Sequence, residues 1–478
     1  MGQPELLFDV TALLVTSAAL GHAVEAASVP ETMFVSAPLN PVTSAPPVTI
    51  TTASSVFPSV IDPASTSHNV PVSVLEIPIA TPQQVIGLTG ISFVKELATL
   101  SPDQINKIVS DDPSVIEKVL DSPPSAKDVT GLWSSLSPAN RTKLITSAPG
   151  LVGNLEGVPV SIRNTANRTW VSQSIGSLKS KLTSIAGRAL AQSDQQELQM
   201  LTHVEDALKP GKDGPARTLL SIDPTGQGKA VIVIGDLQKA NYVTYMVPGL
   251  FNTVDGQVGA WTTAADDLYS QQVGWLHRLA KDHPSDGSKS VAVVAWMGYQ
   301  TPDLTNVASL ELANQAKGAL TRDVEAMQEL RTGNEPYTTI IAHSYGSTAA
   351  LMALTDHTFS VNALVLVGTP GSAAQSAKDL DVDHTNVWVG AAAWDPVPAS
   401  AFFGSDPSSP SYDAHTMGVN GGTDVITGQT LTQSLGHNEY FDPHSESLRN
   451  MALIGIDQAV LVMQDDAADA SRTLAAAK

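Results

Sequence analysis

The chain has 478 residues, of which 42% are apolar and 15% charged, so it is long enough for one large folded domain with an appended smaller region. A formal net charge of −21 repels phosphate backbones and anionic lipid surfaces, so we expect no nucleic-acid partner. The sequence contains no cysteine, which excludes disulfides, thiolate catalysis and sulfur-ligated zinc within these residues.

The first 29 residues contain an apolar run from Leu6 to Leu20 that is too short and too polar to span a bilayer. Glu5 and Asp9 stand where a secretory signal carries positive charge. A cleavable signal would therefore be poorly formed, and an amphipathic or partly buried helix fits the pattern better. Export and a cytoplasmic location both stay open, and we predict no transmembrane span.

Residues 30–82 contain ten prolines and no Lys or Arg. Proline at this density prevents regular helices and central strands, because it lacks the backbone N–H and fixes φ. We predict an extended linker or N-terminal arm here.

Residues 83–200 are predicted to be a small helical region. Ser101 begins one helix as an N-cap, with Pro102 in the first turn and Gln104 completing a capping box. Ser137 before a proline begins another. The expected core residues of this region are Trp133, Leu136, Leu144 and Ile145.

From about residue 217 the pattern changes to short apolar runs separated by helical stretches, which is typical of a sheet flanked by helices. The predicted strands are Thr218 to Ile222, Ala230 to Ile234, Tyr242 to Val247, Val291 to Trp296, Thr338 to Ala342, Ala363 to Val367 and Asn386 to Val389. The predicted helices are Leu310 to Leu330, Thr348 to Leu354 and Glu446 to Met463. The later strands are uninterrupted apolar runs, as expected for parallel strands buried on both faces, whereas turn residues at 225–228 predict a hairpin for the first pair.

The strongest local signal is an apolar strand, a tight turn containing Ser344, and an Ala-rich helix. This order is typical of a nucleophile elbow, in which strained backbone presents a serine hydroxyl. Ala342 and Gly346 leave room for the strand and helix to approach each other, although Ala stands where Gly is usual. An ordinary strand-to-helix turn would give a similar pattern. We predict that Ser344 is a catalytic nucleophile.

A serine nucleophile needs a histidine base, and the base needs a carboxylate that holds its tautomer. In hydrolases of this kind the chain order is Ser, acid, His. Asp395 follows the predicted strand that ends at Val389 and is our candidate acid, with a turn-capping aspartate as the alternative. The reserve candidates are Asp406, Asp413 and Asp424.

Three histidines, His415, His437 and His444, follow Asp395 in the chain. His415 comes too early before the last helix, and position alone favours His437 over His444 only slightly.

The second oxyanion donor is expected in the loop after an early strand, where Gly249 permits close approach of the backbone. We predict that the amides of Leu250 and Tyr345 form the oxyanion hole. An ordinary Pro-Gly turn is the alternative for the Leu250 loop.

Taken together, these stretches resemble a bacterial α/β-hydrolase family catalogued as the domain of unknown function numbered ten twenty-three. The resemblance covers about residues 132–456 and implies the triad Ser344, Asp395 and His437, because a His-x-x-Tyr pattern matches His437 with Tyr440. The matching stretches are Val247 to Leu250, Gly298 with Tyr299, Ala342 to Ser347, Val367 to Gly371, Asp395 to Pro398 and His437 to Asp442, with Trp133 to Pro138, Leu151 to Asn154 and Arg163 to Arg168 upstream. The resemblance implies no particular substrate.

We therefore predict the α/β class: an α/β-hydrolase fold with a mostly parallel central sheet flanked by helices, preceded by a small helical region and a Pro-rich arm. The predicted divisions are an apolar segment 1–29, a linker 30–82, a helical region 83–200, a catalytic domain 201–465 and a tail 466–478.

The predicted function is hydrolysis of ester or related acyl bonds through an acyl-enzyme, on a small-molecule or lipid-like acyl substrate, with no cofactor and no metal. Acyl transfer and a non-catalytic surface binding protein are the alternatives. A metal site is a weaker hypothesis, because acidic, His-containing loops are commonly just solvated. Its ligands would be His437, Glu439, Asp442, His444 and Glu446. The sequence does not predict the oligomeric state.

Overall fold

The computed structural model describes residues 81–464, apart from 185–187, 213 and 282–286. The segment 1–29, nearly all of the linker 30–82 and the tail 466–478 lie outside the described residues. None of the helices in the described part of the chain combines the length and apolar character needed to cross a lipid bilayer.

Nine helices precede the first strand within the described residues. They are α1 (Pro82–Ile86), α2 (Gly90–Leu97), α3 (Pro102–Asp111), α4 (Ser114–Asp121), α5 (Ala126–Ser135), α6 (Pro138–Ser147), α7 (Pro149–Asn154), α8 (Val160–Ser184) and α9 (Arg188–Ala207). The predicted capping box is present at α3, where Ser101 and Gln104 bond each other's backbone N–H groups. Ser137 caps α6 through the amide of Asn140.

The central sheet has eight strands in the order β1-β2-β4-β3-β5-β6-β7-β8. The strands are β1 (Arg217–Asp223), β2 (Lys229–Gly235), β3 (Tyr242–Val247), β4 (Val291–Met297), β5 (Tyr337–His343), β6 (Ala363–Val367), β7 (Val387–Gly390) and β8 (His415–Thr416). β2 runs antiparallel to both of its neighbours and all other pairs are parallel, so the predicted hairpin and the mostly parallel sheet are confirmed. A separate two-stranded ribbon pairs β9 (Gly422–Thr423) with β10 (Thr430–Leu431).

Five further helices lie between the strands or after them: α10 (Val254–Leu279), α11 (Glu311–Leu330), α12 (Tyr345–Leu354), α13 (Pro396–Ser400) and α14 (Glu446–Ile454). The prediction for α14 was wrong at its end, since the helix stops at Ile454 rather than Met463. Gly455 is its C-cap and packs so closely on α10 that a Cβ there would lie 2.2 Å from Gln272 Nε2. The chain then turns at Asp457, whose φ is 59°.

The long helix α10 was not predicted. Two polar side chains, Thr262 and Gln272, are fully buried on the face that packs against the sheet, so the apolar period of the helix is interrupted. Gln272 Nε2 donates to Thr244 Oγ1 of β3 at 2.9 Å, which satisfies the amide donor inside the core.

The sheet sends alternate side chains into two separate cores, as the two-residue period of a strand requires. In β4, Val291, Val293, Ala295 and Met297 face one core, while Ala292, Val294 and Trp296 face the other. Helices α8, α9, α10 and α14 cover the first face, and α11 and α12 cover the second. The sheet is therefore buried on both sides, which explains the uninterrupted apolar runs of its strands.

A third core lies within residues 85–166 and contains Trp133 and Leu144, with Leu136 and Ile145 packed at its margin. Helices α8 and α9 pack instead against β1 and α10. Asn167 of α8 reaches the β1 carbonyls of Leu219 and Leu220 at 3.2 and 3.1 Å. The domain boundary between residues 200 and 201 stays a prediction. It falls within α9, and α8, α9 and α10 all contact the sheet core.

A buried charge cluster connects the helical region with the sheet domain. Asp323 of α11 accepts a 2.6 Å hydrogen bond from Trp296 Nε1 and shares another with Glu156, which follows α7. Burial raises the pKa of Glu156 to about 8, and the negative charge of Asp323 adds to the effect, while Arg163 and Arg322 oppose it. Glu156 therefore carries a proton in the folded protein at neutral pH.

We expect Glu156→Gln to stabilise the protein relative to wild type increasingly as the pH rises. Because the folded pKa lies above the unfolded value, the stability that Glu156 contributes is fully present below about pH 4.5 and is lost as the pH rises through about 8. Glutamine keeps a hydrogen-bond donor but never ionises. Thermal unfolding at pH 5 and pH 8.5 should show the melting-temperature difference between variant and wild type growing with pH.

The matched control is Glu325→Gln, which changes an exposed carboxylate on the same helix as Asp323. An equal melting-temperature difference at both pH values for Glu156→Gln would contradict the assignment of a protonated Glu156.

Candidate active site

Ser344 occupies the sharp turn between β5 and α12. Its φ of 53° and ψ of −132° lie in a region that non-glycine residues rarely adopt, which costs on the order of 1–3 kcal/mol. The turn is held by the Ser344 amide, which donates to the Val367 carbonyl of β6 at 3.0 Å. This is the backbone geometry of a nucleophile elbow.

Two glycines allow the loop after β3 to approach this turn. A Cβ on Gly346 would lie 2.2 Å from the Pro248 carbonyl oxygen, and one on Gly249 would lie 2.5 Å from Ser344 Cβ. Tyr299 holds the loop by donating from its hydroxyl to the same Pro248 oxygen at 2.7 Å. Gly346 is therefore sterically required, whereas Ala342, at the place where Gly is usual, fits fully buried in β5.

The structure brings Ser344, His437 and Asp395 together. His437 Nε2 lies 2.7 Å from Ser344 Oγ, and His437 Nδ1 lies 3.0 and 3.1 Å from the two carboxylate oxygens of Asp395. The side chains of His437 and Asp395 are 3% and 0% exposed, so little solvent competes for these hydrogen bonds. A carboxylate only accepts, so Nδ1 carries the proton and Nε2 is free to accept from the serine hydroxyl.

Asp395 is held from three directions at the start of α13. Its Oδ1 accepts from the Val397 amide at 3.0 Å, so it also caps the helix, as the alternative interpretation expected. Its Oδ2 accepts from the Tyr440 hydroxyl at 2.6 Å. Burial alone would raise the pKa of Asp395, but the hydrogen bonds and charge of His437, with those from Tyr440 and Val397, outweigh burial and hold the pKa below its ordinary value.

Tyr440 has a contact that the sequence pattern did not predict. It is fully buried, and its hydroxyl oxygen accepts from the Ala392 amide at 2.9 Å. With its oxygen occupied by that donor, the hydroxyl proton points to Asp395. The spacing His437-x-x-Tyr440 was the available signal, since one 3₁₀ turn of backbone places both side chains on the carboxylate.

His343 was also missed. Its Nε2 lies 2.7 Å from the His437 carbonyl oxygen, which only accepts, so Nε2 carries the proton and donates. Burial, together with the neighbouring His437, lowers the pKa of His343 to about 3 and keeps it neutral. Its ring packs against that of His437 with centroids 4.7 Å apart. Adjacency to Ser344 was the only sequence signal.

Gly368, directly after β6, provides the space that the His-Asp pair occupies. Its φ is 58°, and a Cβ there would lie 2.9 Å from His437 Cε1 and 3.0 Å from Asp395 Oδ2. A side chain at this position would displace one of the two groups.

The remaining candidates lie elsewhere. Asp406 closes a turn at Ser408, and Asp413 pairs with Lys378 at the surface. Asp424 forms a buried ion pair with Arg449. His415 packs on Trp388 at the sheet edge, and His444 lies just before α14 and interacts electrostatically with Asp267 of α10.

The predicted oxyanion donors lie on either side of Ser344. Tyr345 is the first residue of α12, so its amide has no acceptor within the helix. Leu250 follows Gly249, the residue that packs against Ser344. Their role in stabilising an oxyanion stays a prediction.

The hypothesis of a metal site near His437 finds no support in the geometry. Across residues 81–464, with the gaps given above, no group of three or more His, Asp or Glu side chains is arranged to hold a metal ion. Within the proposed cluster, Glu446 Oε2 accepts instead from the Gly421 amide at 2.8 Å.

Part of the sheet domain matches a known family model. Residues 223–405 match a family model described as alpha/beta hydrolase, a span that includes Ser344 and Asp395 and ends before His437. The order of the strands, the turn at Ser344 and this match confirm the predicted α/β-hydrolase fold for the sheet domain. The narrower assignment to a numbered family of unknown function stays a prediction.

Two mycobacterial relatives are uncharacterized. The uncharacterized protein Rv2079 of Mycobacterium tuberculosis is 31% identical over 315 residues, which is 59% of this chain and 45% of that protein. The chain therefore spans less than half the length of this relative. The uncharacterized protein Mb0988c of Mycobacterium bovis is 27% identical over 207 residues, covering 40% of this chain and 74% of that protein.

Among solved structures, the carboxylesterase EstE1 from a metagenomic library matches with a TM-score of 0.33 and 12% identity over 59% of this chain and 99% of its own. A thermostable esterase from Pseudomonas putida matches with a TM-score of 0.31 and 13% identity over 60% of this chain and 97% of its own.

Proposed function

We propose that this chain is a serine hydrolase that cleaves ester or related acyl bonds, with Ser344 as nucleophile, His437 as general base and Asp395 as the acid that orients it. The observation that carries the proposal is the unbroken hydrogen-bond series from Tyr440 through Asp395 and His437 to Ser344 Oγ. The alpha/beta hydrolase family match supports hydrolase activity independently of this geometry.

In the proposed reaction, Ser344 Oγ attacks the acyl carbonyl carbon while His437 Nε2 takes the hydroxyl proton. The resulting imidazolium gives this proton to the leaving oxygen as the carbonyl–oxygen bond breaks, and the acyl group remains on Ser344. Water, deprotonated by the same Nε2, then attacks the acyl-enzyme. The imidazolium returns the proton to Ser344 Oγ as the acyl–Oγ bond breaks, and the acid is released. The ionised Asp395 stabilises the imidazolium in both steps, and its lowered pKa suits this role.

The amides of Leu250 and Tyr345 are the proposed donors to the carbonyl oxygen as it becomes negative. Support comes from Gly249, which brings the β3 loop against Ser344, and from the position of Tyr345 at the positive end of the ten-residue helix α12. Because these donors are backbone amides, no charged side chain has to move before they can stabilise the negative oxygen.

Covalent labelling with a fluorophosphonate probe tests the proposal. The probe should modify wild type and Ser347→Ala but not Ser344→Ala, because Ser344, unlike Ser347, has a histidine base at its hydroxyl. Ser347 is the matched control, since its buried hydroxyl instead bonds Thr369 Oγ1 at 2.6 Å. Unchanged labelling of Ser344→Ala, or none of wild type, would overturn the proposed function.

Tyr440→Phe is expected to lower kcat about 10- to 100-fold with little change in KM. The variant removes one hydrogen bond to a charged group, worth about 1.5–3 kcal/mol, from the carboxylate that orients the base. Steady-state kinetics on p-nitrophenyl acetate measure the effect. Tyr412→Phe is the control, because the buried Tyr412 hydroxyl has no hydrogen-bond partner among the described residues. Equal kinetics for Tyr440→Phe and wild type would contradict the orienting role.

A further inference from the structure

Within the described residues, most of the exposed large apolar side chains lie at the same edge of the sheet as Ser344. Ten large apolar side chains are exposed within the described residues. Six of them lie in the loops at the carboxyl edge of the sheet, where Ser344 also lies. We name these six the apolar rim: Phe251, Leu304, Leu310, Trp394, Phe402 and Leu435.

Hydrogen bonds place parts of this rim on two sides of Ser344. On one side, Phe251 follows Leu250, and its amide donates to the Pro302 carbonyl at 3.1 Å, which brings the loop of Leu304 alongside. On the other side, the Gly436 amide donates to the Ala393 carbonyl at 2.9 Å. This bond joins the segment of Leu435 to that of Trp394. Because β5 lies between β3 and β7 in the sheet, Ser344 lies between the two sides.

Two of the rim residues are held in costly backbone conformations. Phe251 has a φ of 60° and Trp394 a φ of 67°, a region that bulky side chains rarely adopt. Phe251 adjoins a predicted oxyanion donor, and Trp394 adjoins Asp395. Trp394 is nevertheless 66% exposed, so burial does not compensate for the strain. Strain combined with apolar exposure beside the site indicates a binding function.

We infer that the apolar rim binds the acyl chain of the substrate, and that the substrates are esters of medium- to long-chain acids. The inference rests on the proposed function, since the chain must be attached to the carbonyl that Ser344 attacks. Apolar contacts on both sides of the nucleophile suit an unbranched hydrocarbon chain that leaves the site across the rim. Each methylene that leaves water for such a surface can raise kcat/KM by roughly two- to fourfold.

The test is kcat/KM for p-nitrophenyl esters from acetate to decanoate, each below its critical micelle concentration. Wild type should prefer decanoate over acetate by at least tenfold. Leu435→Ser and Phe251→Asn should each lower the decanoate-to-acetate ratio by at least threefold; asparagine tolerates the positive φ at residue 251. Trp394→Asn should lower it as well.

Val460→Ser and Ile86→Ser are the matched controls, because each removes an exposed apolar side chain outside the rim and should leave the ratio at the wild-type value. A wild-type ratio near one overturns the inference, and so does a ratio that neither Leu435→Ser nor Phe251→Asn lowers. Fluorophosphonate labelling of the same samples separates the two proposals. If the wild type is labelled but shows no chain-length preference, only the inference about the apolar rim is rejected. If the wild type is not labelled, the proposed function is rejected.

Discussion

His437→Ala is expected to lower kcat for an ester substrate by on the order of 10⁶, with KM little changed. The imidazole touches Ser344 Oγ at 2.7 Å, and the side chain of Asp395 on its other ring nitrogen is fully buried. Without the ring, the serine hydroxyl has no base, and losing the base of such a triad costs about as much as losing the whole triad. Steady-state and single-turnover kinetics measure the loss.

His444→Ala is the matched control for that prediction. His444 lies just before α14 and was the alternative base from sequence position, yet His437 is the histidine that is hydrogen-bonded to Ser344. The His444→Ala variant should hydrolyse p-nitrophenyl acetate with the same kcat and KM as wild type. Comparable losses in the two variants would mean that the base has been misassigned.

Asp395→Asn is expected to lower kcat/KM by about 10⁴, as a wrong histidine tautomer does in such triads. Both oxygens of Asp395 accept hydrogen bonds, from Val397 N and from the Tyr440 hydroxyl, and both face His437 Nδ1. An amide nitrogen in place of either oxygen opposes one donor and favours an unprotonated Nδ1. His437 then carries its proton on Nε2 and cannot accept from Ser344.

Asp413→Asn, which removes a surface carboxylate paired with Lys378, should leave kcat/KM at the wild-type value. The prediction for Asp395→Asn fails if its activity stays within tenfold of wild type while the protein remains folded.

Seven of the eight strands of the sheet were predictable because each is a local apolar run between turn residues, whereas the short, exposed strand β8 was not predicted. β3 and β6 have the predicted ends, and the other predicted strands differ by one residue at one or both ends. Ser344 was predictable for the same reason, since strand, turn and helix are adjacent in the chain. The helix α10 was not predictable, because Thr262 and Gln272 interrupt its apolar pattern. Both are buried in the folded protein, where Gln272 donates a hydrogen bond to Thr244.

The contacts around the base were less accessible from the sequence because they join distant segments. Asp395 and His437 are separated by 42 residues, and position alone could not decide firmly between His437 and His444. The bonds from Tyr440 to Asp395 and from His343 to the His437 carbonyl depend on how the segment before α14 packs against the loop after β7 and the end of β5. The periodicity of the sequence does not predict these contacts between distant segments.

The most direct test of the central claim is the mass of the intact protein quenched during turnover of a slowly hydrolysed ester. If Ser344 is the nucleophile, a fraction of the molecules should be heavier by one acyl group, with the added mass on the peptide that contains Ser344. Turnover with no added mass, or with the acyl group on another residue, would contradict it.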